Sequence, residues 1–192
     1  TGSLWVMWVL AKLKWPCGQP LSLQLMAGKW HVSRNPLDRG FDRFYGLEEG
    51  ACNYWTGSDR IRMGREKVEV PAGFYATDDF TDHALRFLDE AKRENDAQPF
   101  FLYLAYTAPH DPLQVPEKEI AKYRGKYMKG YHEVKHQRLK NVRRLGLVPQ
   151  STRRTDWPQN LPRWNGLSET QRRMEDLRKA TYMAMVDRMD QN

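Results

Sequence analysis

The run Phe100-Phe101-Leu102-Tyr103-Leu104-Ala105-Tyr106, closed off by Thr107-Ala108-Pro109-His110-Asp111-Pro112, constrains this chain more than any other stretch. Seven consecutive apolar or aromatic residues are too few for a typical helix, and their Phe and Tyr content favours a strand buried on both faces, as in a parallel central sheet. Pro109 and Pro112 stop that strand, because proline lacks the N–H a ladder needs and fixes φ. His110 is thereby held in a stiff turn past the strand's carboxyl end, where open α/β sheets bind their ligands. The competing reading is a plain β-to-α connection whose histidine caps or packs.

Gly28-Lys29-Trp30-His31 has a related logic. In an extended chain residues i and i+2 point the same way, so Lys29 and His31 share a face while Trp30 turns to the other and packs. Gly28, lacking a Cβ, lets the backbone turn or lets a ligand come close. An ammonium and an imidazole then meet one small anion, and the imidazole is a residue type that exchanges protons near neutral pH. On spacing alone, a surface lysine and a satisfied histidine beside an aromatic ring remain the simpler account.

The rest of the chain organises around these segments. Thr77-Asp78-Asp79 offers caps for a helix through about Lys92, with Phe80, Ala84, Phe87, Leu88 and Ala91 on one stripe. That helix leads through Asn95 to Pro99 into the apolar strand, an αβ unit of a parallel sheet. Residues Gly57 to Gly73, with Val68 and Val70 alternating, make a hairpin or loop excursion, and Pro116 starts a shorter helix toward Tyr127. Gly146 to Pro162 is a loop by its proline, serine and threonine content. From Ser168 a last helix carries Met174, Leu177, Thr181, Met185 and Met189 on one face, a methionine stripe expected to be core packing and not a cofactor box.

Residues 1–25 stand apart. The apolar run Leu4 to Ala11 is too short to cross a bilayer and has no basic segment before it, so neither a membrane span nor a signal peptide is expected. Leu21, Leu23 and Leu25 alternate as a strand facing a core would. Residues 26–192 are expected to form one domain, with a basic, mostly helical or loop insertion at about 118–166. The net charge is +7, and residues 118–179 hold 17 Lys or Arg against 6 Asp or Glu. This block lacks a nucleic-acid fold signature and an aromatic stacking platform, so no nucleic-acid partner is expected. A solvated helical surface is the plain reading; a border of a ligand cleft that attracts polyanions is the functional one.

Four motifs in order and spacing, Gly28-Lys29-Trp30-His31, Arg39-Gly40-Phe41-Asp42-Arg43-Phe44-Tyr45-Gly46, Phe100-Phe101-Leu102-Tyr103-Leu104, and Ala108-Pro109-His110-Asp111-Pro112-Leu113-Gln114-Val115-Pro116, resemble the type I sulfatase (arylsulfatase) family of the alkaline-phosphatase-like superfamily. The match runs over roughly residues 26 to 192, and Tyr182 to Asn192 also resembles the helix before that family's later metal-binding strand. The resemblance implies an α/β fold with a mostly parallel central sheet flanked by helices, and hydrolysis of a small-molecule or glycan sulfate ester. It implies that Lys29 contacts the sulfate oxygens, that His31 hydrogen-bonds a formylglycine hydrate and helps expel sulfate, and that His110 binds the ester near its bridging oxygen. Asn53 or Tyr54 would add a polar contact. Cationic donors aimed at a sulfuryl group lower the barrier as charge redistributes. Members of the family are often exported, which implies a periplasmic or secreted setting; two cysteines do not settle the compartment.

The chain departs from the family pattern at two places. The Cys/Ser-x-Pro-x-Arg motif that yields formylglycine is absent, since neither Cys17 nor Cys52 has the proline and arginine at the required offsets. The early Asp pair and the later Asp-Asn pair that would bind calcium, a hard cation taking about six or more oxygen ligands, are absent too. Thr1 in place of an initiator Met, and an end at Asn192, suggest a fragment whose nucleophile and calcium ligands lie elsewhere and which does not turn over alone. The remaining alternatives are a phosphodiesterase or phosphonate hydrolase of the same superfamily, an inactive truncated product, or a basic binding module.

Overall fold

The computed structural model describes residues 22–158 and 160–192, which fall into two compact units, one reaching to Gln114 and taking in Arg188–Asn192, the other Val115–Asp187. The run Leu4 to Ala11, Cys17 and Leu21 lie outside the described residues.

In the first unit β1 (Leu23–Lys29), β2 (Arg43–Leu47), β3 (Ile61–Met63), β4 (Glu66–Lys67) and β5 (Phe100–Ala105) form one sheet in the order β4-β3-β2-β1-β5. β1 runs parallel to both β2 and β5, while β3 and β4 add an antiparallel hairpin beyond β2. The fold is therefore α/β with a parallel centre, and of the two readings of Gly57 to Gly73, hairpin or loop excursion, the structure has the hairpin.

Burial distributes differently from the expectation set by the apolar runs. The strand covered on both faces is β1, where Leu25, Met26 and Ala27 are fully buried. β5 pairs with β1 alone among the described residues, and Phe100 and Tyr103 remain 56% and 37% exposed. An apolar run reports what a strand offers for burial and not how many neighbours it receives, so β5 lacks the burial on both faces that its composition predicts. Phe41 covers part of its face, with ring centroids 6.5 Å from Phe101 and 6.4 Å from Tyr103.

The helix α1 (Ala76–Glu94) buries Ala76, Thr77, Phe80, Thr81, Ala84 and Phe87, so the apolar stripe holds in its first three turns. The expected capping does not: Tyr75 is the cap residue and no side chain caps the helix. Thr77, Asp78 and Asp79 sit two to four residues past the cap, within the first turn, where the acids instead complement the helix dipole. Asp79 meets β2 there. The Tyr45 ring stacks on the His83 imidazole at 3.4 Å, and burial raises the Asp79 carboxyl above the usual range while the Tyr45 hydroxyl and His83 pull it back.

A carboxyl whose folded pKa lies above its unfolded one stabilises the fold below the unfolded value and loses that contribution as pH rises through the folded one. Asp79→Asn cannot ionise. Its thermal midpoint relative to the parent is expected to rise as pH increases from the acid range through the raised folded pKa of Asp79 and then to level off, read by circular dichroism; a gap independent of pH would mean that folding does not raise the Asp79 carboxyl.

The second unit is helical. Pro116 precedes a short α2 (Glu117–Ala121) that stops well before Tyr127, because the following turns are held by the buried Asp176, whose oxygens accept from the Gly125 and Tyr127 N–H groups at 2.7 and 2.8 Å. α3 (Tyr131–Arg144) buries none of its residues, and the stretch from Gly146 to Pro162 is irregular where described, as its composition suggests. Of the methionine face of α4 (Glu169–Gln191), Met185 is fully buried but Met174 stands 59% and Leu177 38% exposed. Core packing thus accounts for the second half of that stripe only. Among the described residues no helix is long and apolar enough to cross a membrane.

Candidate functional site

The three parallel strands of the first unit end together. Lys29, the last residue of β1, is in register with Leu47, the last of β2, and Gly28 pairs with Ala105, the last of β5. Gly28 adopts φ +107°, and a Cβ there would lie 2.0 Å from the Ala105 carbonyl oxygen. Only glycine allows both that backbone and that approach, and so the residue before Lys29 draws β5 against β1.

His31 departs from the expected geometry. The extended alternation ends with β1, and His31 itself has φ +49°, a left-handed conformation in which histidine is among the more tolerant residues. Sharing a face with Lys29 through i, i+2 spacing therefore does not apply. The imidazole lies instead against Gly50, beyond the end of β2, where a Cβ would come within 2.7 Å of its Cε1. Trp30 packs as expected: it is buried, edge-on to Phe41 at 5.8 Å, and its indole N–H donates to the Arg34 carbonyl at 2.7 Å.

His110 follows β5 in a turn closed by its N–H donating to the Thr107 carbonyl at 3.0 Å, between the cis peptide bonds Ala108–Pro109 and Asp111–Pro112. Its ring Nδ1 lies 2.7 Å from the Asp111 carbonyl oxygen. A carbonyl only accepts, so Nδ1 carries the hydrogen, and Nε2 is left to accept from a ligand or, once protonated, to donate to one. The ring is exposed; its backbone is held from behind. Tyr54, fully buried, donates its hydroxyl to the His110 carbonyl at 3.0 Å, and burial pushes that phenol well above the usual range. The Tyr54 N–H donates to Gln114 Oε1 at 2.8 Å, and the Tyr75 hydroxyl to the Gln114 carbonyl at 3.1 Å.

Tyr54 is therefore a support behind the turn and not an added ligand contact. The Asn53 Oδ1 accepts from the Trp55 and Thr56 N–H groups at 2.9 and 3.1 Å, so what Asn53 can add is its amide N–H groups. Gln114 was missed, and a single sequence holds no signal for it, because its partner is 60 residues away.

Charge at the strand ends is unbalanced toward the cation. Glu48 lies 3.6 Å from Arg62 and Glu49 3.5 Å from Arg60, whereas among the described residues Lys29 has no acidic partner. Burial pushes the Cys52 thiol up to about 11, so it stays neutral and weakly nucleophilic. Among the described residues no three His, Cys, Asp or Glu side chains come together to hold a metal. These residues fit neither a calcium ion, which needs an oxygen cage, nor the motif from which formylglycine is made.

The sulfatase family model matches residues 24–192. The arylsulfatase of Klebsiella aerogenes is 31% identical over 188 residues, 86% of this chain and 38% of that protein, and an uncharacterized sulfatase of Schizosaccharomyces pombe is 30% identical over 184 residues, 87% and 33%. The chain thus spans 38% or less of the length of either relative. A solved structure in complex with its substrate D-glucosamine-2-N,6-O-disulfate aligns with a TM-score of 0.54 at 16% identity, over 88% of this chain and 42% of that one, a likeness of fold.

Proposed function

Because this chain belongs to the sulfatase family, we propose that it carries the sulfate-binding side of a sulfuric-ester hydrolase acting on a small-molecule or glycan sulfate. Lys29, His31 and His110 are its contacts to the ester. The carrying observation is the register that ends β1 and β5 side by side, with Lys29 next after Gly28 and the His110 turn five residues past Ala105. In this reading the Lys29 ammonium offsets charge on the sulfate oxygens. His110 Nε2, left open by the Nδ1 contact to Asp111, donates a proton to the departing alcohol. His31, seated against Gly50, presents a second imidazole to the same anion. The formylglycine nucleophile and calcium ion that the family implies come from outside the described residues.

Titrating the chain with inorganic sulfate while following the ring C–H resonances of His31 and His110 tests this. Both are expected to shift along one saturable curve. Independent curves, or no shift of either histidine, would separate the residues that the proposal joins. Phosphate in place of sulfate is the comparison that distinguishes the phosphoryl-handling alternative; tighter phosphate binding would favour a phosphodiesterase or phosphonate hydrolase.

A further inference from the structure

We propose that the helical second unit carries a binding site of its own for an acidic sugar, in the cavity framed by Tyr131, Trp157, Gln171, Met174, Glu175 and Arg178. The cavity has a volume of about 460 Å³, within the size range of small-ligand pockets. This inference is independent of the catalytic reading above, since all of its residues lie within Val115–Asp187.

One side of the cavity is flat and apolar. Tyr131 and Trp157 stack with ring planes 12° apart and centroids at 6.0 Å. The Trp157 indole N–H is already donated to the Leu161 carbonyl at 3.1 Å, and the Tyr131 and His132 rings lie 6.0 and 4.7 Å from it, so what Trp157 offers the cavity is the apolar ring surface these contacts leave uncovered. The other side is polar and pre-arranged. The Tyr131 hydroxyl donates to one oxygen of Glu175, and Arg178 Nη1 donates to the other at 2.7 Å. Arg178 has five N–H donors and a half-exposed side chain, so most of its fork remains open. Gln171, exposed on the same helix, has its Oε1 accepting from the Ser168 N–H at 2.8 Å and adds the two N–H donors of its amide.

A pyranose ring has the matching surfaces: an apolar face of C–H bonds for the aromatic wall and an edge of hydroxyls for carboxylate, amide and guanidinium. The surrounding charge selects the acidic kind. Residues 131–158, which run from α3 to Trp157, hold seven Lys or Arg against two Asp or Glu. Burial and the Arg138 guanidinium hold the Lys179 ammonium below the usual lysine range, a sign that two cations have been placed together on α3 and α4. Such an arrangement is favourable when an anion bridges it.

The test is calorimetric titration of the chain with a heparin-derived hexasaccharide, an oligogalacturonate of equal length, cellohexaose and linear polyphosphate. At least one acidic sugar is expected to bind saturably, with Trp157→Ala weakening it about tenfold and Gln171→Ala about threefold. Polyphosphate affinity is expected to be unchanged by either substitution. Gln171 is exposed, and its variant gives up only the hydrogen bond its Oε1 accepts from the Ser168 N–H at the helix start, so equal thermal midpoints of parent and variant are read alongside, and the test stands even if Trp157→Ala disturbs the loop. Cellohexaose binding as tightly as the acidic sugars, equal affinity of parent and both variants, or no binding of either acidic sugar would overturn the proposal. Preference for the sulfated over the carboxylated sugar, or the reverse, with the two losses intact, supports it and identifies the acid.

Discussion

Replacing Gly28 by alanine is expected to break the centre of the sheet. The new Cβ would stand 2.0 Å from the Ala105 carbonyl oxygen, a backbone atom that no side-chain rotation can move aside. The positive φ adds about 1–2 kcal/mol of steric cost, and overpacking a tight site about 1–3 kcal/mol. Their sum approaches the lower end of the total stability of a domain, about 5–15 kcal/mol. A urea titration followed by far-ultraviolet circular dichroism should show the transition of Gly28→Ala shifted to much lower denaturant or lost. Gly73→Ala is the control: φ is also positive, at +81°, but no atom lies within 4 Å of the added Cβ. It should cost only the backbone term, about 1–2 kcal/mol. Equal midpoints for the two variants would show that β1 and β5 part without penalty and that their close approach is not structural.

Lys29→Ala is the second large effect, and it falls on binding. A hydrogen bond to a charged group contributes about 1.5–3 kcal/mol, or about tenfold to a hundredfold in affinity. Lys29 has no acidic partner among the described residues, so removing it leaves no orphaned carboxylate and the fold should be unaffected. Sulfate titration of Lys29→Ala, read on the His31 and His110 ring protons, is therefore expected to lose saturation over the range that saturates the parent. Thermal midpoints of the two proteins should coincide. Retained affinity in Lys29→Ala would remove the lysine from the proposed contacts and leave the imidazoles without their cation.

Local chemistry carried much of the fold. Gly28 and its need for an unusual backbone, the packing of Trp30, the stripe of Phe80, Ala84 and Phe87, and the hairpin between Gly57 and Gly73 all follow from side-chain shape and spacing. What did not follow depends on partners distant in sequence. Phe100 and Met174 are apolar, but their exposure is decided by what lies opposite them. Thr77 to Asp79 resemble a cap because capping residue types also suit a first turn. His31 was assigned an extended geometry from the strand before it, whereas its place is set by Gly50, 19 residues on. Tyr54 and Gln114 gave no hint of a joint role, since their hydrogen bond joins positions 60 apart. The legible part of the candidate site was thus its residue types; its scaffolding was not.

The contact between the Tyr54 hydroxyl and the His110 carbonyl ties a position that solvent never reaches to one that stands exposed past the end of β5. Selection acting on the exposed imidazole would therefore be felt in the interior. A lineage that moves the His110 carbonyl while remodelling the turn gives up the partner of a buried hydroxyl, so change at the surface would leave its trace inside the protein.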